Sequence, residues 1–154
     1  NYNGNYKYNQ NSEIMREIRY RGIGIAERKW VFGSLWFDTR DGVTLIWSEE
    51  LKYWVRVDPA TVGQYTGLKD EHGKEIYEGD VIRSPLSEDK TRPHRIFYHT
   101  GNAAFMGALV DRKELCYLRL DQDWIYKFGK EVIGNIHDNP ELIEKQTAER
   151  HKTN

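Results

Sequence analysis

The chain has 154 residues, of which 38% are hydrophobic, 13% aromatic and 31% charged; 23 Lys and Arg stand against 24 Asp and Glu, a formal net charge of -1. A domain or a domain with a small annex fits this length. No apolar run approaches the roughly 18–20 residues of a membrane helix, a lone Cys116 cannot build a disulfide scaffold, and the strong basicity usual in nucleic-acid binders is absent.

Residues 1–14 (NYNGNYKYNQNSEI) hold five Asn and three Tyr and read as a polar tail, with Met15 as the expected start of the folded part. The opening residues show no apolar segment of the signal-peptide kind. From Met15 the large side chains are aromatic and β-branched, and they alternate with charged ones at period two. Ile18 and Tyr20 alternate with Glu17, Arg19 and Arg21, and Gly22 and Gly24 break that run. Segment 29–37 (KWVFGSLWF) is apolar on both parities, so both faces of this strand are expected to be covered. The DTRDG turn at 38–42 leads into Val43, Leu45 and Trp47 on one face, and Tyr53, Val55 and Val57 repeat the pattern. Asp58-Pro59 closes this region, because proline cannot donate to a ladder.

Further on, KDEHG (69–73) forms a turn with Gly73 at its end, and Tyr77-Glu78-Gly79-Asp80 bends tightly into a strand at 81–83. Two prolines, four charged residues and a histidine mark 84–94 as an exposed loop. A hairpin is expected over 95–110, a strand over 114–120, and the last strands at 124–128 and 131–134. Asn139 as N-cap, Pro140 at the first helical position and Glu141 in the first turn predict a short C-terminal helix.

Four segments carry more than generic patterning: MREIRYRG at the front, GQYTGLK (63–69), GKEIYEGDVI (73–82) and EVIGNIHDNPEL (131–142). In this order they resemble the YopX family of small proteins encoded mainly by temperate phages and prophages. The resemblance runs from about Met15 to Ile143. It implies an all-β protein: an N-terminal β subdomain beside an SH3-like, partly open β-barrel, with the short helix at the end. The division expected is 1–14 tail, 15–61 N-terminal subdomain, 62–138 barrel and 139–154 helix and tail. No catalytic residue or cofactor comes with the resemblance, and a cytoplasmic accessory role in the bacterial host is what it implies. Its motif residues Gly67, Gly73, Gly79, Asp80, Gly134, Asn139 and Pro140 read as structural. Gly79 is expected at positive φ, and Asp80 as an acceptor for nearby backbone N–H groups.

Chemistry is thinly represented. His72, His94, His99, His137 and His151 show no metal-ligand spacing, and the serines lie in no nucleophile-elbow context. Gly22-Ile23-Gly24 lacks the third glycine and the helix of a dinucleotide loop. Glu49-Glu50, Glu88-Asp89 and Asp121/Asp123 sit in turns, where solvated acids are the rule, and Cys116 reads as a buried strand residue. Two binding readings remain. The stretch containing Arg83, Lys90, Arg92 and Arg95 offers a local basic patch for nucleic acid, although a solvated charged loop is the commoner explanation of such a stretch. Trp30, Trp36, Trp47 and Trp54 crowd the N-terminal half; they fill the core between the two parts or lie on an exposed face that contacts a protein partner or a second copy. The leading expectation is a non-catalytic, protein-binding module without metal or membrane attachment.

Overall fold

The structure is a computed structural model and describes residues 16–85, 92–110 and 117–143. Two antiparallel sheets account for nearly all of its regular structure. The first contains β1 (Tyr20–Ile23), β2 (Trp30–Phe37), β3 (Thr44–Ser48), β4 (Trp54–Arg56), β5 (Gly63–Lys69) and β6 (Glu75–Tyr77), in the order β4-β3-β2-β1-β5-β6. The second contains β7 (Asp80–Arg83), β8 (His94–His99), β9 (Ala104–Leu109), β10 (Tyr117–Arg119) and β11 (Glu131–Asn135), in the order β10-β9-β8-β7-β11. The all-β expectation holds. With β10 and β11 as its two edges, the second sheet remains open.

The first sheet curls on itself. Beyond β1, Gly24 bridges Val57, the Ile25 N–H donates to the Arg56 carbonyl at 3.0 Å, and the Asp58 N–H donates to the Ile23 carbonyl at 2.9 Å. The end of β4 therefore meets the end of β1. A narrow interior results, sealed by Val31, Ile46 and Val57 with Tyr20, Leu35, Val55 and Val62 around them. The Asp58-Pro59 stop is realised as a single 3-10 turn, where the Asp58 carboxylate accepts the Ala60 N–H at 3.0 Å. Thr61 ties this turn to β1 by accepting the Ile23 N–H at 2.8 Å.

β5 pairs with β1 through Tyr20–Gln64 and Arg21–Gly63, so the first sheet continues past residue 62 and takes in β6 as well. Gly67 sits where the β5–β6 register shifts. The Tyr77–Asp80 bend then passes the chain to the second sheet. Gly79 lies at φ +83°, as expected; its N–H donates to the Ile96 carbonyl and its carbonyl accepts the Ile136 N–H, each at 2.9 Å. β7, β8, β9 and β10 form a meander, and β11 returns antiparallel to β7 with a register shift between Val132 and Gly134.

Segment 124–128 corrects the sequence reading. It lies in α1 (Gln122–Lys127) and the turn after it, not in a strand. Its rings and branched side chains favour strands, but the Asp121 carboxylate accepts the Trp124 N–H at 2.8 Å and caps a helix instead. The helix inserts Ile125, fully buried, into the second core with Ile76, Ile82, Ile96 and Leu120. The C-terminal helix begins as a helical turn at 141–143; its remainder falls outside the described residues. Asn139 does not cap through its side chain. Its Oδ1 accepts the Asn135 N–H at 3.3 Å, turning the carboxamide toward β11.

The expectation of two covered faces for 29–37 also fails. Phe32, Trp36 and Phe37 remain 41%, 45% and 53% exposed. A curl this tight has room inside for Val31 and Leu35; Phe32 and Trp36, on the other parity, stay outside, and Phe37 is exposed at the end of the strand.

Candidate functional site

Where the two sheets meet, buried polar side chains form a fastening. The Arg21 guanidinium, from β1, lies 2.7 Å from the Asp80 carboxylate and donates to the Glu78 carbonyl at 3.1 Å. It is held between Trp30 and Tyr77, 4.6 and 5.0 Å from their ring centres. The Tyr77 N–H donates to the other Asp80 oxygen at 2.8 Å. Burial raises the Asp80 carboxyl above its ordinary range, and Arg21 is the main influence opposing it. Next to this pair, the Trp30 indole N–H donates to Asp138 at 2.7 Å and the Asn135 carboxamide donates to it at 2.8 Å. These bonds hold the Asp138 carboxyl below its usual value, Asn135 contributing most. Burial, seconded by Arg21, lowers the His137 imidazole. A further buried acid, Asp70, accepts N–H groups of His72, Lys74 and Val132 at 2.9, 2.9 and 3.1 Å and fixes the 70–74 turn against β11.

Chemically this is architecture. Asp70 and Asp80 spend their oxygens on backbone groups or on a neighbouring charge, and the Arg21 guanidinium is directed at Asp80 and the Glu78 carbonyl. Asp80 does act as a local backbone acceptor, as the sequence suggests, but the ion pair to Arg21 was not legible: the two residues are remote in the chain and meet only when the sheets pack. The remaining motif residues are structural as well. Gly73 closes its turn by donating to the Asp70 carbonyl at 3.0 Å, Gly134 lies at the β11 register shift, and the Pro140 carbonyl accepts the Ile143 N–H at 3.0 Å.

The basic segment is dispersed. Arg83 lies 3.4 Å from Glu131, its cross-strand partner on β11. Arg95 is exposed with its guanidinium 5.9 Å from the Phe97 ring centre, and Arg92 is half-buried. Lys90, like Glu88, Asp89 and Cys116, lies outside the described residues. Beside Arg83, Glu71, His72 and Glu131 bring one ligand atom each to within 4.8 Å of one another, but the Arg83 guanidinium already balances Glu131.

Aromatic residues dominate the outer surface of the first sheet. The register aligns Ser34, Trp47 and Trp54 in one row and Trp36, Leu45 and Arg56 in the next. Trp47 and Trp54 meet edge to face at 5.7 Å. None of the four N-terminal tryptophans is buried, and Trp36 and Trp54 are 45% and 47% exposed. Beside these rows a cleft of about 880 Å³ is lined by Ile25, Phe32, Leu51, Tyr53 and Trp54, all exposed, with Glu27, Glu49 and Glu50 against Lys29 and Arg56 on its margins. Trp36 and Trp54 therefore take the surface position, whereas Trp30 and Trp47 are half-buried, Trp30 at the junction of the two sheets.

The sequence matches the profile of the YopX protein family over residues 3–144. The chain belongs to the YopX family. Among solved structures, the crystal structure of protein EF1440 from Enterococcus faecalis is similar at 24% identity, covering 82% of this chain and 98% of that one with a TM-score of 0.55, a likeness of fold. Comparison with curated proteins gives no match. In this YopX protein the family-like segments RYRG, IYEGD and GNIHDN are the ones that supply Arg21, Asp80, Asn135 and Asp138 to the fastening between the sheets. Among the described residues, no helix is long and apolar enough to cross a membrane.

Proposed function

We propose that this YopX protein is a non-catalytic accessory protein of a phage or prophage, working in the bacterial cytoplasm as a protein-interaction module through the aromatic face of its first sheet. The observation that carries this reading is the exposure of Phe32, Trp36, Tyr53 and Trp54 on and beside one cleft. Rings of this kind dominate interface hot spots, and contiguous exposed apolar surface is uncommon on a protein that acts alone. The mixed charges on the margins suit a partner whose apolar centre is rimmed by both signs. The non-catalytic part is supported by the engagement of the buried ionisable groups in holding the fold.

The test is affinity capture from a host carrying the prophage, with the full chain and with a Trp36→Ser, Trp54→Ser double variant as baits. A protein retained by the first and lost by the second, with both baits melting at the same temperature, is the expected result. Identical retention by the two baits overturns the reading. Size-exclusion chromatography of both chains distinguishes a second copy from a different partner.

A further inference from the structure

A second cleft, of about 590 Å³, lies between β5 of the first sheet and the β8–β10 meander of the second. It differs from the aromatic cleft in its chemistry. Its ring surface is Tyr98, 43% exposed and set edge to face on Phe105 at 5.4 Å. Its cations are Arg16 and Arg119, both exposed, and neither forms an ion pair or hydrogen bond with a described residue. Arg19, Arg21, Arg40 and Arg83, by contrast, each face a carboxylate. The acid in this lining, Glu78, is turned to β5, one of its oxygens accepting the Gln64 N–H at 2.9 Å. Gln64 lines the cleft and its carboxamide offers both a donor and an acceptor.

The geometry points to a nucleoside phosphate as the ligand of this cleft, its base laid on Tyr98 and its phosphate held by Arg16 and Arg119. Every base has a face that stacks on an aromatic ring, and guanidinium matches phosphate oxygens in a bidentate fork. The volume lies within the range of small-ligand sites. The same unit occurs as a free nucleotide or within a single strand. An acidic peptide would satisfy the arginines and leave the ring unused. The inference is independent of the protein-interaction surface, which uses other residues.

The test titrates the full chain with a short fluorescent oligouridylate, with uridine monophosphate and with polyglutamate, at several salt concentrations. Binding of the oligouridylate that weakens as salt rises is expected, and Tyr98→Ala should lower its affinity about tenfold or more. Tyr98→Phe should retain binding, since the stacking face survives. Arg119→Gln and Arg16→Gln should each weaken binding and reduce the salt slope by about one. Tyr98-dependent binding of the mononucleotide at comparable affinity assigns a free nucleotide; marked preference for the oligomer assigns a single strand. Failure of both to bind, binding indifferent to Tyr98→Ala, or polyglutamate binding as tightly as the oligouridylate overturns the proposal. Matching thermal melts for Tyr98→Phe and Tyr98→Ala keep loss of fold from imitating loss of the site.

Discussion

Inside the curl of β1–β4 the sealed side chains are the small Val31, Ile46 and Val57, whereas the second core gathers Ile76 of β6 with Ile82, Ile96, Leu120 and Ile125 of α1. The β1–β4 curl leaves Trp36 and Trp54 nearly half exposed, whereas Tyr65 and Tyr77 of β5 and β6 are buried and Phe105 and Trp124 are half-buried against the second core; Tyr98 of β8 stays exposed. Curvature accounts for the contrast. A four-strand curl has too small a cross-section for indole rings, and an open sheet closed by α1 can bury larger groups. Aromatic side chains are thus displayed on the outside of the β1–β4 curl and packed around the second core. Between the halves lies the Arg21–Asp80 fastening, on which their mutual position depends.

That contrast breaks most completely at the fastening. Asp80→Ala leaves the Arg21 guanidinium buried without its carboxylate, and chemical denaturation should show a loss of about 3–5 kcal/mol. Less is expected from the first sheet. At Gly33, φ is +150° and an added Cβ would sit 1.8 Å from the Trp47 carbonyl oxygen. Gly33→Ala must therefore force β2 and β3 apart, at about 2–3 kcal/mol. Gly79→Ala meets nothing nearer than 3.5 Å, so its cost is the φ of +83° alone, about 1 kcal/mol. If Gly33→Ala proves the milder of the two in the same denaturation series, the curl is looser than described.

The fold was legible in the alternation, because period-two patterning follows directly from the pleat. Turns were legible in Gly73, Gly79 and Asp58-Pro59, whose backbone constraints are local. What failed was tertiary. Trp124, Ile125 and Tyr126 look like strand residues until Asp121 caps their N–H groups. Trp36 and Trp54 look like core residues until the width of the curl is known. Arg21 was visible only as a charged residue alternating with Ile18 and Tyr20, although its buried partner Asp80 had already been singled out. Of the cleft between the sheets nothing was legible, since Arg16, Tyr98 and Arg119 come together from separate parts of the chain.

Trp30 sharpens the comparison from another side, because it is the N-terminal tryptophan that joins the fastening. Its indole N–H donates to Asp138, whose carboxyl is held below its ordinary value of 3.8, chiefly by Asn135. A lowered folded-state value means that this contribution to stability is present above about pH 3.8 and is lost as the pH falls through the folded value. Trp30→Phe keeps a ring against Arg21 and removes the donor. It should cost about 1 kcal/mol at neutral pH, the scale of one hydrogen bond to a partly exposed carboxylate, and the difference from the parent chain should close as the pH falls through Asp138's folded value. Denaturant midpoints measured across that interval check the sign: a difference that grows on acidification contradicts the assigned bond.

The smallest effect is the most informative about the surface. Trp36 lies on β2, yet its ring is 45% exposed and its register neighbours are Leu45 and Arg56, away from Val31, Ile46 and Val57. Trp36→Ser removes a large aromatic side chain from the protein and should still change the unfolding free energy by no more than about 0.5–1 kcal/mol, because little of the ring's area is sealed and no cavity is left behind. A core tryptophan would cost about 3–5 kcal/mol. The same variant should diminish association with whatever partner the aromatic face recognises, since an exposed ring at an interface contributes only when that interface forms. A loss in the core range would mean that Trp36 is packed inside the isolated chain, and the contrast between a curl that displays its tryptophans and a second core that packs Phe105 and Trp124 would disappear with it.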